Sequence, residues 1–173
     1  MYLSGSNWGM GCNSIHMLDT YAFITGEKDF KANSFYLDDE IVDSKRKGYI
    51  EFTGELRIES SKGLLTLISY STGDRPVSIV IDSENFHVDI DEMNKSARFL
   101  NKRDGSWNWE TDVVDIRPQS RVTHELVQDL LESGNCGLTT IAESMSLHKV
   151  LIGAFIDHLS KNKKERCNIC PIT

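Results

Sequence analysis

The chemically informative segment of this chain is Gly9-Met10-Gly11-Cys12-Asn13-Ser14-Ile15-His16-Met17-Leu18-Asp19. In a helix, Cys12, His16 and Asp19 stand at i, i+4 and i+7, and all three project from one face. An imidazole titrates at about 6.5, close to working pH, so His16 has the chemistry of a general acid or base. The same residue would equally suit a buried histidine bonded to a backbone carbonyl, and spacing by itself leaves both readings open. Glycines ahead of a helix can cradle a phosphate on the free N–H groups of its first turn. The dinucleotide fingerprint, however, needs a strand before its glycines and a βαβ unit around them. Only a few residues precede Gly5, so the sequence predicts a flexible lead-in and no cofactor-binding residue in this chain. Trp8, beside the glycine turn, is placed to line whatever site the helix serves.

Other candidates carry weaker signals. Cys167-Asn168-Ile169-Cys170 has the spacing of half a zinc site, yet Cys12 and Cys136 are single and remote, so no metal is expected. A redox pair would sit between a strand and a helix, whereas this one lies next to the C-terminus, where half-buried thiols in an extended segment are expected. His124, His148 and Arg121 fall on predicted helices and suit solvated positions. Trp107 and Trp109 share a sheet face and could stack on a sugar ring, although sheet or interface packing is the simpler account of them.

The elements that must position these residues follow from hydrophobic period. Ile15, Leu18 and Ala22, with Met17, Tyr21 and Ile24 on a second face, recur at helical spacing up to Gly26 and predict a helix buried on most sides. From about Phe35 to Ile116 the period changes to two, in the pairs Leu56/Ile58, Leu65/Leu67, Val77/Ile79/Ile81, Val88/Ile90, Ala97/Phe99 and Trp107/Trp109. Turn residues separate them at 61–63, 72–74, 82–85, 94–95 and 104–105. Connections this short predict an antiparallel meander of about six strands. Pro118 then opens a helix through Leu126 to Leu131 that stops at Gly134, and Thr140-Ile141-Ala142-Glu143 has capping-box form at the start of a longer one. The fold class is α+β: a predominantly antiparallel open sheet with helices packed on one face, in a single domain spanning residues 1–173.

Bulk charge narrows the partners. With 19 Lys and Arg against 26 Asp and Glu, the net charge is -7, which argues against a nucleic-acid backbone as partner. The one basic run near the end, Lys161 to Arg166, follows a predicted helix and suits its negative end. No apolar stretch approaches membrane-spanning length, and Met1 to Gly11 has neither the charge nor the apolar region of a signal peptide. The cytoplasm is the expected location.

The motif Ile15-His16-Met17-Leu18-Asp19, entered from a glycine-rich turn, resembles the substrate helix of the glucose-fructose oxidoreductase and inositol dehydrogenase family, often called Gfo/Idh/MocA. In that family the helix bears Asp-x-x-x-His-x-x-Asp. The order of elements downstream is similar as well: a meander, a helix at Leu126 to Leu131, a last helix through Ile141-Ala142-Glu143 and His148 to Ile152, and a short extended ending at Cys170 to Thr173. The resemblance implies the substrate-binding and oligomerising C-terminal domain of an NAD(P)-dependent oxidoreductase, without its N-terminal Rossmann domain. It implies a sugar, nucleotide-sugar or polyol substrate, with His16 handling the hydroxyl proton and Asn13, Asp19, Trp8 and Cys12 around the substrate. NAD or NADP would be bound by the absent domain, and copies would associate through the sheet face.

Cys12 departs from the family pattern, because it stands where the motif has its first Asp, and a neutral thiol cannot polarise an imidazole as a carboxylate does. That departure also suits a different reading, a non-catalytic scaffold domain derived from the same family. A freestanding hydrolase with a Cys12–His16 dyad is a third reading, but no oxyanion site is apparent.

Overall fold

The computed structural model describes every residue except 116, so Ile116, the expected end of the alternating region, lies outside the described residues. The elements in chain order are β1 (Tyr2–Ser6), α1 (Met10–Thr25), β2 (Lys31–Leu37), β3 (Val42–Asp43), β4 (Ile50–Glu51), β5 (Gly54–Ser60), β6 (Gly63–Tyr70), β7 (Ser78–Asp82), β8 (Phe86–Asp91), β9 (Ser96–Arg103), β10 (Ser106–Val113), α2 (Gln119–Ser133) and α3 (Ile141–Lys163). Eight strands form one open, mostly antiparallel sheet in the order β10-β9-β8-β7-β1-β6-β5-β2, while β3 and β4 make a separate two-stranded ribbon. The fold class is therefore α+β, as the patterning predicts, and the six alternating segments are β5 to β10.

The glycine-rich lead-in is not flexible. It is β1, the strand inside the sheet that pairs parallel with β6 and antiparallel with β7. It separates β6 from β7, so the expected meander is split into two antiparallel runs. Tyr2-Leu3-Ser4-Gly5-Ser6 gives no alternating signal because its buried positions hold Leu3, Ser4 and Gly5, only one of them a large apolar residue. Through β6 and β5, strand β2 runs parallel to β1. Helix α1 is thus a crossover between parallel strands that have two others between them. Strand β2 begins at Lys31, ahead of the expected Phe35, and an irregularity between Asn33 and Tyr36 breaks its period of two.

Helices α1 and α3 cover one sheet face over the β1-to-β2 half. Leu3, Leu56, Ile58, Leu65 and Leu67 from the sheet meet Leu18, Leu151 and Phe155 from the helices, all at most 3% exposed. Phe155 stacks on Phe52, with ring centroids 4.4 Å apart and planes within 2°. His158 is buried beside them and donates through Nε2 to the Asp38 carbonyl at 2.9 Å. The capping box at Thr140 and Glu143 forms as its sequence predicts, with hydroxyl and carboxylate each satisfying a free N–H group. Helix α2 departs from expectation. It has no buried residue and packs against no other element among the described residues.

The outer sheet face carries a charged cluster. His87 on β8 faces Asp82 at 3.1 Å through Nδ1 and Asp89 at 2.9 Å through Nε2. Its ring and the Trp109 indole meet edge-to-face, and the Arg98 guanidinium lies over the indole at 4.4 Å. Both nitrogens can donate only when the ring is protonated, so Asp82, with Asp89 behind it, raises the His87 pKa above its ordinary value. A raised folded pKa contributes stability that is complete below the unfolded value of about 6.5 and fades as pH rises through the folded value. Replacing His87 with Gln should therefore lower the melting temperature more at acid than at alkaline pH. An equal loss in thermal scans on both sides would refute the charged state.

Candidate functional site

The chain leaves β1 through Asn7 and Gly9, both at positive φ of 48° and 76°, and turns sharply into α1. Three local bonds fix that turn. Trp8 Nε1 donates to the Ile68 carbonyl at 2.9 Å, Asn13 Nδ2 donates to the Trp8 carbonyl at 2.7 Å, and the Cys12 thiol points to the Gly9 carbonyl at 3.6 Å. The first turn of α1 contains no acidic residue. Its positive end is met from β4, where the Glu51 carboxylate accepts from the Gly11 N–H at 2.6 Å. A Cβ at residue 11 would stand 2.9 Å from Glu51 Oε2 and 3.0 Å from Ile172 Cγ2, so the two side-chain ends pack directly on the bare backbone there. The C-terminal tail holds the ribbon from the other side, as Ile50 N–H donates to the Pro171 carbonyl at 2.9 Å.

Together these contacts enclose a cleft of about 400 Å³ between the start of α1, the β3–β4 ribbon and the end of β6. Trp8, Cys12 and Asn13 line it with Asp43, Lys45, Arg46, Glu51 and Ser69. The other two sequence candidates lie elsewhere. His16 is exposed and lines no cavity described here, and Asp19 lines a different cavity of about 490 Å³ between the end of α1 and the start of α3. There Asp19 accepts from the Thr139 hydroxyl at 2.7 Å, tying α1 to the segment that begins α3. The structure thus brings Trp8, Cys12 and Asn13 together, sets His16 one turn along the helix, and turns Asp19 to a neighbouring cavity.

The remaining candidates take ordinary places. Arg121, His124 and His148 are exposed on their helices, with His148 bonded to its own Ser144 carbonyl at 2.8 Å. Cys167 and Cys170 are half-buried free thiols in the tail after α3. Burial pushes the Cys170 thiol up to about 11, which keeps it protonated at neutral pH. No cluster of His, Cys, Asp or Glu suited to a metal ion occurs among the described residues, and no helix is long and apolar enough to cross a membrane.

Chemically, the cleft offers hydrogen-bonding groups, an aromatic wall and two cations to a small polar molecule. The N-terminus of α1, where an anion could otherwise bind, already holds the Glu51 carboxylate. Sequence reasoning missed Glu51, Ser69, Lys45 and Arg46. The ribbon strands have two residues each, too short to leave a period, and Ser69 is an ordinary small residue in a strand.

The sheet topology and the helix placement define a fold found in oxidoreductases. No family model and no curated protein matches the chain. Among solved structures, a UDP-N-acetylglucosamine 3-dehydrogenase from Acidithiobacillus ferrooxidans superposes with a TM-score of 0.56 at 13% identity, over 95% of this chain and 53% of that one. An oxidoreductase from Bacillus cereus gives 0.58 at 10% identity, over 90% and 56%. The biliverdin reductase from Synechocystis, solved with biliverdin and NADP+, gives 0.57 at 10% identity, over 89% and 53%. The chain spans about half the length of the structures it matches.

Replacing Glu51 with Gln keeps the size of the side chain but removes the charge from the helix end, and should cost about 0.5–2 kcal/mol. Urea denaturation should show that loss. An unchanged midpoint would mean that the Glu51 carboxylate does not sit on the helix end.

Proposed function

We propose that residues 1–173 form the substrate-binding and proton-handling C-terminal domain of an NAD(P)-dependent oxidoreductase that acts on a CH–OH group of a sugar, nucleotide-sugar or related polyol. The observation that carries this reading is the cleft at the start of α1, walled by Trp8, Cys12 and Asn13, in a fold that oxidoreductases share. UDP-N-acetylglucosamine 3-dehydrogenase, named for a sugar-nucleotide oxidation, supports the substrate class. The nicotinamide supplies the redox chemistry when a separate nucleotide-binding domain holds it. This chain's part is to bind the substrate and move one proton. Asn13 and Trp8 position the substrate, and His16, exposed one turn beyond Cys12, takes the hydroxyl proton as general base and returns it in the reverse direction. Asp19 holds the helix against Thr139 rather than contacting substrate.

In the complete enzyme, with a nucleotide-binding domain ahead of residue 1, His16→Asn should lower turnover by about 10²–10⁴-fold and leave nucleotide affinity unchanged. Cys12→Asp places a carboxylate one helical turn before the imidazole and should maintain or increase activity. Full turnover in His16→Asn would remove His16 from the mechanism.

The same reading includes self-association through the outer sheet face, where Trp107 and Trp109 are 47% and 49% exposed. Sedimentation at micromolar protein should give at least a dimer, and Trp107→Lys together with Trp109→Lys should yield a monomer. A strictly monomeric native chain would set this part aside.

A further inference from the structure

Two buried hydroxyls, Ser4 Oγ and Ser69 Oγ, have no hydrogen-bond partner among the described residues. Ser69 is only 1% exposed, yet it lines the cleft, whereas Ser4 does not. Its register partners are Gly5 on β1 and Gly54 on β5, so neither flanking strand offers a side chain that could cover the hydroxyl or bond to it. A buried hydroxyl without a partner is costly, and its retention at the lining of a cleft points to a partner that comes from outside the chain.

A second feature lies across the same space. The segment Asp43-Ser44-Lys45-Arg46-Lys47 sets three cations against one acid in a chain of net charge -7. Lys45 and Arg46 both line the cleft, and neither makes an ion pair among the described residues. Asp43 and Glu51 line it too, but Glu51 is engaged by the Gly11 N–H and Asp43 stands on β3, ahead of the turn that carries the two cations.

We infer that the cleft binds a hydroxylated small molecule bearing an acidic group, a carboxylate or a phosphate, with a substrate oxygen on Ser69 Oγ and the acidic group at Lys45 and Arg46. This deepens the substrate reading above and rests on it for the location of the site. Ser69 then contributes to specificity by hydrogen bonding, and the ribbon cations select charged over neutral sugars.

Calorimetric titration of the chain with glucose, glucuronate and UDP-N-acetylglucosamine tests the assignment and separates the two acidic classes. Binding of either acidic probe at millimolar concentration, with glucose at least about tenfold weaker, is expected. Ser69→Ala should weaken that binding by about 3–10-fold, and the Lys45→Ala, Arg46→Ala double variant should abolish the preference over glucose. Without ligand, Ser69→Ala should melt about 2–4 °C higher than the native chain, because it removes a hydroxyl that nothing satisfies. A lower or unchanged melting temperature would show that the hydroxyl is already satisfied inside the protein, and would overturn the proposal. So would glucose binding as tightly as the acids, or no binding of any probe. None of these failures touches the His16 turnover test, which alone decides the oxidoreductase reading.

Discussion

The bond from the Gly11 N–H to the Glu51 carboxylate organises the functional end of the molecule. A helix start leaves several N–H groups without partners and concentrates positive charge there. In α1 no residue of the helix itself answers that charge, and the acid comes from a two-residue strand forty positions later. The contact pins the β3–β4 ribbon over the start of the helix, and the tail closes behind it through Pro171 and Ile172. Among the described residues the ribbon pairs with no strand of the main sheet, so this contact and the Ile50–Pro171 bond hold it in place. The cleft exists because the ribbon is held there. The same carboxylate occupies the helix end, so an acidic ligand in the cleft would meet its cations on the ribbon instead.

The parts of the fold that sequence made legible are those where one physical signal dominates. Strands β5 and β6 alternate because one face is drier than the other, and β7 to β10 repeat the same apolar-polar period with glycine and small polar residues at their turns. The capping box at Thr140 is local chemistry and reads directly. Strand β1 was hidden because a strand buried on both faces has no wet face to alternate with, and Ser4 and Gly5 carry almost no hydrophobic signal. The site was half legible for the same kind of reason. Cys12, Asn13 and Trp8 are neighbours in sequence, and a helical turn brings them together. Glu51, Ser69 and the ribbon cations reach the cleft by tertiary folding, which leaves no trace in spacing. Asp19 shows the limit of helical periodicity: residues on one helix face can still serve two different cavities.

The helices also differ in what sustains them. Helix α3 buries Leu147, Leu151, Ala154, Phe155, His158 and Leu159, so tertiary packing supports it along most of its length. Helix α2 buries nothing, and Val127, Leu130 and Leu131 face solvent at 47%, 51% and 80% exposure. A fifteen-residue helix without packing is marginal in water, so its population rests on its own propensities and on the αL cap at Gly134.

The central place of β1 has a consequence for how the chain acquires its shape. The first residues pair with Thr66–Tyr70 on one side and Ser78–Val80 on the other, so their partners are more than sixty residues away in sequence. During synthesis β1 emerges before either of its neighbours and must wait, unpaired, until both have been made. Until then the β5–β6 hairpin and the β7–β10 run are separate local structures with nothing between them. Closing the sheet is therefore a late, high-contact-order event, and the slow step in folding is expected to be the insertion of β1 between β6 and β7.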